Sequence, residues 1–379
     1  MFKKNERSKS KAMVLGEYMS IYIVLFFSLF FAGFSDIYNW KIRNIIFFFN
    51  LVLVFCLVVF RYDIGSDYIS YKELFEISPK INNISLSYFI VDNVKNIEYG
   101  YLLFQSISKT LFDNFYFFIF LFNLVMFIII NRLFNKKMMN VQLLVLYCFF
   151  ILSYAMEAQR QAMAIVLVTY SFRYIINRKF VCFSLIILIA TLFHKVSLLA
   201  FLLYFFVNYF PNNRRYYIYI LLLIFILVSF DFSGKIIYIL NELLNNSATI
   251  HRVYTYYFNY GGSQVSTIAI IHRLILFGLI MLFYHITDIN LNKFIMFSLF
   301  LFFIFSHIGQ LAGRISEIFI FSYILYFSNL FTNLKSINNK FIIYIYISIY
   351  GFLIFFKNLI STHPIYLNSV YIPYKTIFF

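Results

Sequence analysis

Residues 113–131 read DNFYFFIFLFNLVMFIIIN, and between Phe115 and Ile130 only Tyr116 and Asn123 carry a side-chain oxygen or nitrogen. A helix needs about 20 such residues to cross the hydrocarbon of a bilayer, with about 17 as the practical minimum. Comparable stretches recur outward from this one at 18–34, 44–60, 139–155, 159–176, 180–194, 196–210, 216–232, 266–285, 293–309, 315–331 and 341–357. The pattern predicts an all-α integral membrane protein, a polytopic bundle of about twelve transmembrane helices within a range of about 10 to 14, and no soluble domain.

Composition agrees. The chain has 379 residues, 63% of them hydrophobic and 12% charged, more apolar surface than one soluble core of that length could bury. Collagen-like, disordered, coiled-coil and disulfide-scaffold readings are excluded. The formal charge of +16 would suggest nucleic acid in a soluble protein, but here the cations are read by their place relative to the apolar spans, and no nucleic acid is expected. The 54 Phe and 33 Tyr follow the bias of an AT-rich genome, so aromatic abundance by itself does not indicate binding. Cys56, Cys148 and Cys182 lie inside apolar runs and suit packing better than a disulfide or a metal site.

The organisation expected is a basic tail at 1–17, a membrane domain at 18–357 with two long polar loops at 61–112 and 233–265, and a short C-terminal tail at 358–379. Loops of that length usually carry function. Within the first, Tyr99 to Phe112 alternates helically, with Tyr101, Leu102, Phe104, Ile107 and Leu111 on one side and Gln105, Ser106, Ser108 and Lys109 on the other, and is expected as an amphipathic or half-inserted helix.

If the loop beginning at Arg61 faces outward, the alternate connections hold Lys41 and Arg43, then Arg132, Lys136 and Lys137, then Arg173, Arg178 and Lys179, then Arg214 and Arg215, then Lys293, then Lys335 and Lys340. Short loops rich in Lys and Arg are cytoplasmic loops. The tail, with Lys3, Lys4, Arg7, Lys9 and Lys11, falls on the wrong side, which is explained if translation starts at Met13 or Met19. No Ala-x-Ala-like site follows the first span, as a cleaved signal peptide would require.

That orientation gathers a small polar set on the outer face: Arg61 to Tyr71, Glu98 to Tyr101, Glu157 to Ala162, Phe193 to Ser197, and Ala312 to Glu317. Each member has an ordinary reading. Arg61, Lys195 and Arg314 suit interfacial anchors, Glu157 and Arg160 an i, i+3 pair, His194 a hydrogen-bonded structural histidine, and Asp63 and Asp67 turn formers. Their convergence on one face is what those readings do not require, because charged groups at membrane depth are expensive. Arginine offers a rigid fork of donors to phosphate oxygens, and a carboxylate or neutral imidazole can take a proton from an attacking hydroxyl. Together they describe glycosyl transfer from a lipid pyrophosphate. Neither a nucleotide-binding glycine loop nor a metal-ligand run is visible, so no cofactor and no metal are expected. In the second loop, Tyr254, Tyr256, Tyr257, Asn259 and Tyr260 suit sugar contacts, although an interfacial aromatic belt accounts for them as well.

At these residues the sequence resembles the EpsG family of Wzy-type polysaccharide polymerases. The matching pieces are Arg61-Tyr-x-x-Gly65-x-Asp67-Tyr68-x-x-Tyr71, Glu98-x-Gly100-Tyr101, Arg160-Gln161-x-x-Ala164, Phe193-His194-Lys195-x-Ser197 and a late Arg314 opening a span. They stand in the family's order and cover about Met19 to Phe331, while the basic tail and the last helix with its C-terminal tail match nothing in it. The resemblance implies an O-antigen, capsule or exopolysaccharide polymerase of the bacterial cytoplasmic membrane, its active site facing the periplasm or exterior. It would transfer a growing glycan from undecaprenyl pyrophosphate to a lipid-linked repeat unit without metal or nucleotide, alongside a chain-length regulator and a flippase. It further implies substrate binding by Arg61, Tyr68, Arg160, Gln161 and Arg314, with Asp67, Glu98 and His194 as base or acceptor-positioning residues. A flippase or transporter for the same lipid-linked oligosaccharide, or a membrane O-acyltransferase, is the alternative.

Overall fold

The structure, a computed structural model, describes residues 21–84, 97–243, 251, 254–255, 258, 265–361 and 369–378. The basic tail and its expected start site therefore lie outside the described residues, as do Tyr256, Tyr257, Asn259 and Tyr260 of the expected sugar contacts. Among the described residues the chain is helical, with one isolated antiparallel bridge between Arg61 and Thr376. It divides into two units, the first comprising residues up to Tyr170, Ile189–Lys195 and Phe331 onward, the second Ser171–Leu188 and Val196–Leu330.

The helices in chain order are α1 (Ile21–Ile37), α2 (Arg43–Val59), α3 (Tyr68–Ile77), α4 (Tyr99–Leu111), α5 (Phe115–Leu133), α6 (Met139–Glu157), α7 (Gln159–Ile176) and α8 (Phe180–Thr191). After a 3₁₀ turn at Lys195–Leu199 come α9 (Ala200–Tyr209), α10 (Arg214–Ser229), α11 (Phe232–Leu243), α12 (Thr267–Phe283), α13 (Ile289–Ile304), α14 (Gly309–Ser316), α15 (Phe321–Asn333) and α16 (Ile337–Leu359). Helix occupies each of the twelve stretches expected from the sequence. By length and composition, however, among the described residues only α5, α6 and α16 suffice to cross a membrane, or up to 5 spans if the bent pairs α10 with α11 and Leu311–Phe319 with α15 each count as one. Three to five crossings is what these helices support. Most of the remaining apolar helices fall short of about 20 residues, so the count of twelve goes beyond them. The stretch from Ser233, expected as loop, begins instead with α11, bent 68° from α10.

The run that first marked the chain as membranous is α5. Asn114 starts it by accepting from the backbone N–H of Tyr116 (2.7 Å) and Phe117 (3.3 Å), which satisfies two donors that no helix can satisfy itself. In the first unit α5 packs on α2 and α4, and α16 packs along α6. The second part of α6, Tyr147–Glu157, is wound with wider π-type turns. Its start is held by Asp36, a buried carboxylate that accepts from the backbone of Asn140 (2.6 Å) and Val141 (3.0 Å) and from the Asn140 amide (3.0 Å). Negative charge at a helix N-terminus is favourable.

Helix α4 forms where the alternation predicts it, but burial does not follow its apolar side. Gln105, Ser106 and Ser108 are buried together with Tyr101 and Leu102, while Leu103, Ile107 and Leu111 are exposed. Buried polar side chains must find partners inside the protein. Gln105 accordingly accepts from Ser78 (3.2 Å), and Lys109 donates to the carbonyls of Phe75 (3.0 Å) and Glu76 (2.7 Å) at the end of α3.

In the second unit α13 is surrounded, packing on α9, α10, α12 and α14. Lys293, expected as a loop cation, lies in its first turn, buried, and donates to the carbonyls of Val207 (2.8 Å) and Phe210 (2.6 Å) at the C-terminal end of α9. A cation there satisfies carbonyls that the helix leaves open.

Candidate functional site

The segment after α2 turns twice through left-handed backbone, at Asp63 (φ 52°) and Gly65 (φ 106°). Glycine is required at the second turn for two reasons: its conformation, and the backbone of Met156, whose carbonyl oxygen would lie 2.4 Å from an added Cβ. This close approach seats the segment against the end of α6, where Ser66 donates to Glu157 Oε1 at 2.6 Å. Residues 369–378 run alongside, with Tyr62 N–H donating to Lys375 (2.9 Å), Ile377 N–H to Phe60 (3.0 Å) and Gly65 N–H to Val370 (3.2 Å).

Gly100 makes the other close approach. Its N–H donates to Leu192 (2.8 Å), and a Cβ there would meet Leu192 Cβ at 2.7 Å, so the start of α4 lies on the turn that leads to His194. Glu98, just before α4, forms an ion pair with Arg160 in the first turn of α7. The two side chains are only 10% and 24% exposed, which removes most of the water that would screen them. Arg160 also shares a hydrogen bond with Tyr71, whose hydroxyl lies 3.3 Å from Asp67 Oδ2. The i, i+3 pairing of Glu157 with Arg160 does not form. The chain breaks between α6 and α7 at Ala158 (φ −91°, ψ 62°), so the two residues do not share a helix.

Arg61 is 1% exposed, which removes its reading as an anchor that snorkels to headgroups. One Nη donates to the Val58 carbonyl, the guanidinium carbon stands 6.0 Å from the centre of the Tyr68 ring, and Nε has no hydrogen-bond partner. Among the described residues no carboxylate forms an ion pair with it. Burial holds its pKa below the ordinary arginine value. Burial likewise raises the hydroxyls of Tyr68, Tyr71 and Tyr101, and pushes Tyr374 up to about 12, so all four are protonated near neutrality. Tyr101 lies within electrostatic reach of Arg61, Arg160 and Asp67, and its own hydroxyl is buried without a partner.

The first unit therefore brings together Arg61, Asp67, Tyr68, Glu98 and Arg160, with Tyr101 in reach of both arginines and Tyr71 joining Arg160 to Asp67. Gln161 is buried in α7, and His194 stands half-buried on the turn beside Gly100. Arg314 lies in the second unit, exposed, in the last turn of α14 and near the start of the bent pair Leu311–Phe319 with α15. Two residues were not singled out as site candidates from the sequence. Gln159, inside the polar stretch Glu157 to Ala162, is wholly buried and neither amide atom has a partner. Its neighbours Arg160 and Gln161 were named for the site, and nothing local marks Gln159 as the amide without partners. Arg273, seven positions into the apolar α12, pairs with Glu317 (3.7 Å), lies 2.7 Å from His272 Nδ1 and sits over the Phe302 ring at 4.6 Å. A charge inside an apolar run was the signal that could have found it.

Among the described residues no group of three or more His, Cys, Asp or Glu side chains is arranged to hold a metal ion. What the first unit offers is guanidinium and hydroxyl donors facing few acceptors, an arrangement suited to an anion. A family model described as the EpsG family matches residues 44–376. No curated protein and no solved structure matches.

Proposed function

From the premise that this chain belongs to the EpsG family of Wzy-like polymerases, membrane proteins that build polysaccharide, we propose that it transfers a growing glycan from undecaprenyl pyrophosphate to a lipid-linked repeat unit at the outer face of a bacterial cytoplasmic membrane. In this reading the chain crosses the membrane about twelve times, and works beside a flippase that supplies the repeat unit and a regulator of chain length.

The observation that carries the proposal is the pair of arginines around Tyr101. Arg61 has no counter-charge, Arg160 is balanced by Glu98, and a pyrophosphate supplies the missing negative charge. The new glycosidic bond forms as the anomeric carbon–oxygen bond to pyrophosphate breaks, and charge builds on the leaving oxygens. Preorganised guanidinium and hydroxyl donors stabilise that charge, and their effect grows where water is excluded. Arg61 and Arg160 hold the pyrophosphate, with Tyr68 and Gln161 in support, and Arg314 is a further substrate-binding residue. Asp67 and His194 position the acceptor, and Glu98 orients Arg160. A leaving group stabilised in this way calls for neither nucleotide nor metal.

The surface glycan of a deletion strain tests this. A polymerase loss leaves lipid core capped by a single repeat unit. Absence of any surface repeat would overturn the proposal in favour of transport, and chains of normal length lacking a substituent would overturn it in favour of acyl transfer.

A further inference from the structure

The C-terminal segment 369–378 lies outside every motif that the sequence suggested, yet it forms one wall of the site. Tyr371 donates to Glu157 Oε2 at 2.5 Å and lies 3.1 Å from the Leu152 carbonyl, and Tyr374 donates to the Leu57 carbonyl at 2.9 Å. Glu157 receives its second bond from Ser66 at 2.6 Å, so both carboxylate oxygens are held by hydroxyls from segments far apart in sequence. Tyr371 also lies within electrostatic reach of Arg61. Carboxylate and guanidinium thus flank one tyrosine.

Three carboxylates of the first unit can be compared by what holds them. Glu98 is neutralised by Arg160, and Asp67 accepts from Tyr71, which is itself bonded to Arg160. Glu157 accepts from neutral hydroxyls and forms no ion pair among the described residues. Neighbouring cations weaken a carboxylate as a base, and neutral donors weaken it less. Glu157 is also half-buried rather than sealed, so a substrate hydroxyl can reach it.

The geometry points to Glu157 as the base of the polymerase reaction proposed above, on which this inference rests, and to Tyr371 as the residue that positions it. The acceptor hydroxyl attacks the anomeric carbon and its proton passes to the Glu157 carboxylate. The carbon–oxygen bond to pyrophosphate breaks, and its electron pair leaves with undecaprenyl pyrophosphate. The proton on Glu157 then passes to water.

The test uses the full chain in lipid vesicles with the lipid-linked repeat unit extracted from a polymerase-deletion strain. Glu157→Gln is expected to lower kcat by about a hundredfold or more, with KM within about twofold. Tyr371→Phe keeps the ring and removes the hydroxyl. It is expected to lower kcat by about tenfold and displace the acidic limb of the pH–rate profile, where the base loses its proton, neither of which a purely structural tyrosine would do. Wild-type kcat and pH profile in Tyr371→Phe would overturn the positioning role, and wild-type kcat in Glu157→Gln the base. Should Glu157→Gln fail to reach the membrane, Glu157→Asp takes its place, with the same expected loss of kcat. A wild-type chain that forms no polymer in these vesicles would remove the polymerase reading, and the base with it. The positioning contact is then decided by infrared spectroscopy: the Glu157 carboxylate stretch, isolated as the difference from the glutamate variant, shifts in Tyr371→Phe if the hydroxyl holds it and stays fixed if not.

Discussion

Each unit of this chain keeps an arginine largely out of solvent, and the two are held in different ways. Arg273 has a carboxylate, an imidazole nitrogen and an aromatic face around it. Arg61 has a backbone carbonyl and tyrosines and, among the described residues, no carboxylate, while the Nε of both arginines lacks a partner. Taking a guanidinium out of water costs several kcal/mol, and a counter-charge offsets much of that. Around Arg273 the offset is built into the protein; around Arg61 no carboxylate among the described residues supplies it. Burial of a charge in a membrane protein is thus a weak guide to function until its partners are counted, and it is the missing counter-charge that distinguishes Arg61.

The largest effect expected from this contrast is at Arg160, the partnered arginine of the first cluster. Arg160→Lys retains the charge and loses the planar fork, so polymerisation should fall by about a hundredfold, near 2.7 kcal/mol, while the protein still reaches the membrane. Near-normal glycan length with normal membrane level would remove the pyrophosphate role. Next in size is Arg273→Met, which leaves Glu317 without its ion-pair partner. We expect about 2 kcal/mol of lost stability, read as a lower melting temperature in detergent, largely recovered in Arg273→Met with Glu317→Met, and little change in rate. Arg61→Met should behave in the opposite way, losing about tenfold in rate, near 1.4 kcal/mol, with an unchanged or higher melting temperature. Equal stability losses at Arg61 and Arg273 would erase the distinction between them.

What the sequence made legible was periodicity, and what it hid was the direction in which each face points. The extent of α4 followed from alternation and that of α5, to within two residues at each end, from the length of its apolar run. The burial of Gln105, Ser106 and Ser108 in α4 did not follow, since amphipathicity is the same in sequence whichever side the protein covers. The anchor reading of Arg61, kept as an alternative to substrate binding, survived in the sequence because nothing local shows that residues 369–378 fold back over it. Glu157 read as a partner for Arg160 because i, i+3 spacing presumes one unbroken helix, and Ala158 breaks it. These contacts join residues far apart in sequence, and a single chain read in order carries no mark of them.

The smallest effect is the sharpest test of whether a deficit of partners marks function. Gln159 is fully buried at the start of α7, and both of its amide atoms lack partners. Leaving a buried polar group unsatisfied costs about 1–3 kcal/mol, so a side chain kept only for packing is better served by leucine, which is of similar length. Gln159→Leu should therefore raise the melting temperature by a few degrees. If the amide is instead held ready for a substrate hydroxyl or a phosphate oxygen next to Arg160, the same change should slow polymerisation by about threefold, near 0.7 kcal/mol, chiefly by raising KM. Stability and rate then move in opposite directions from one substitution. A gain in stability with an unchanged rate would place Gln159 with the packing residues, and confine the ligand-directed deficit to Arg61 and Tyr101.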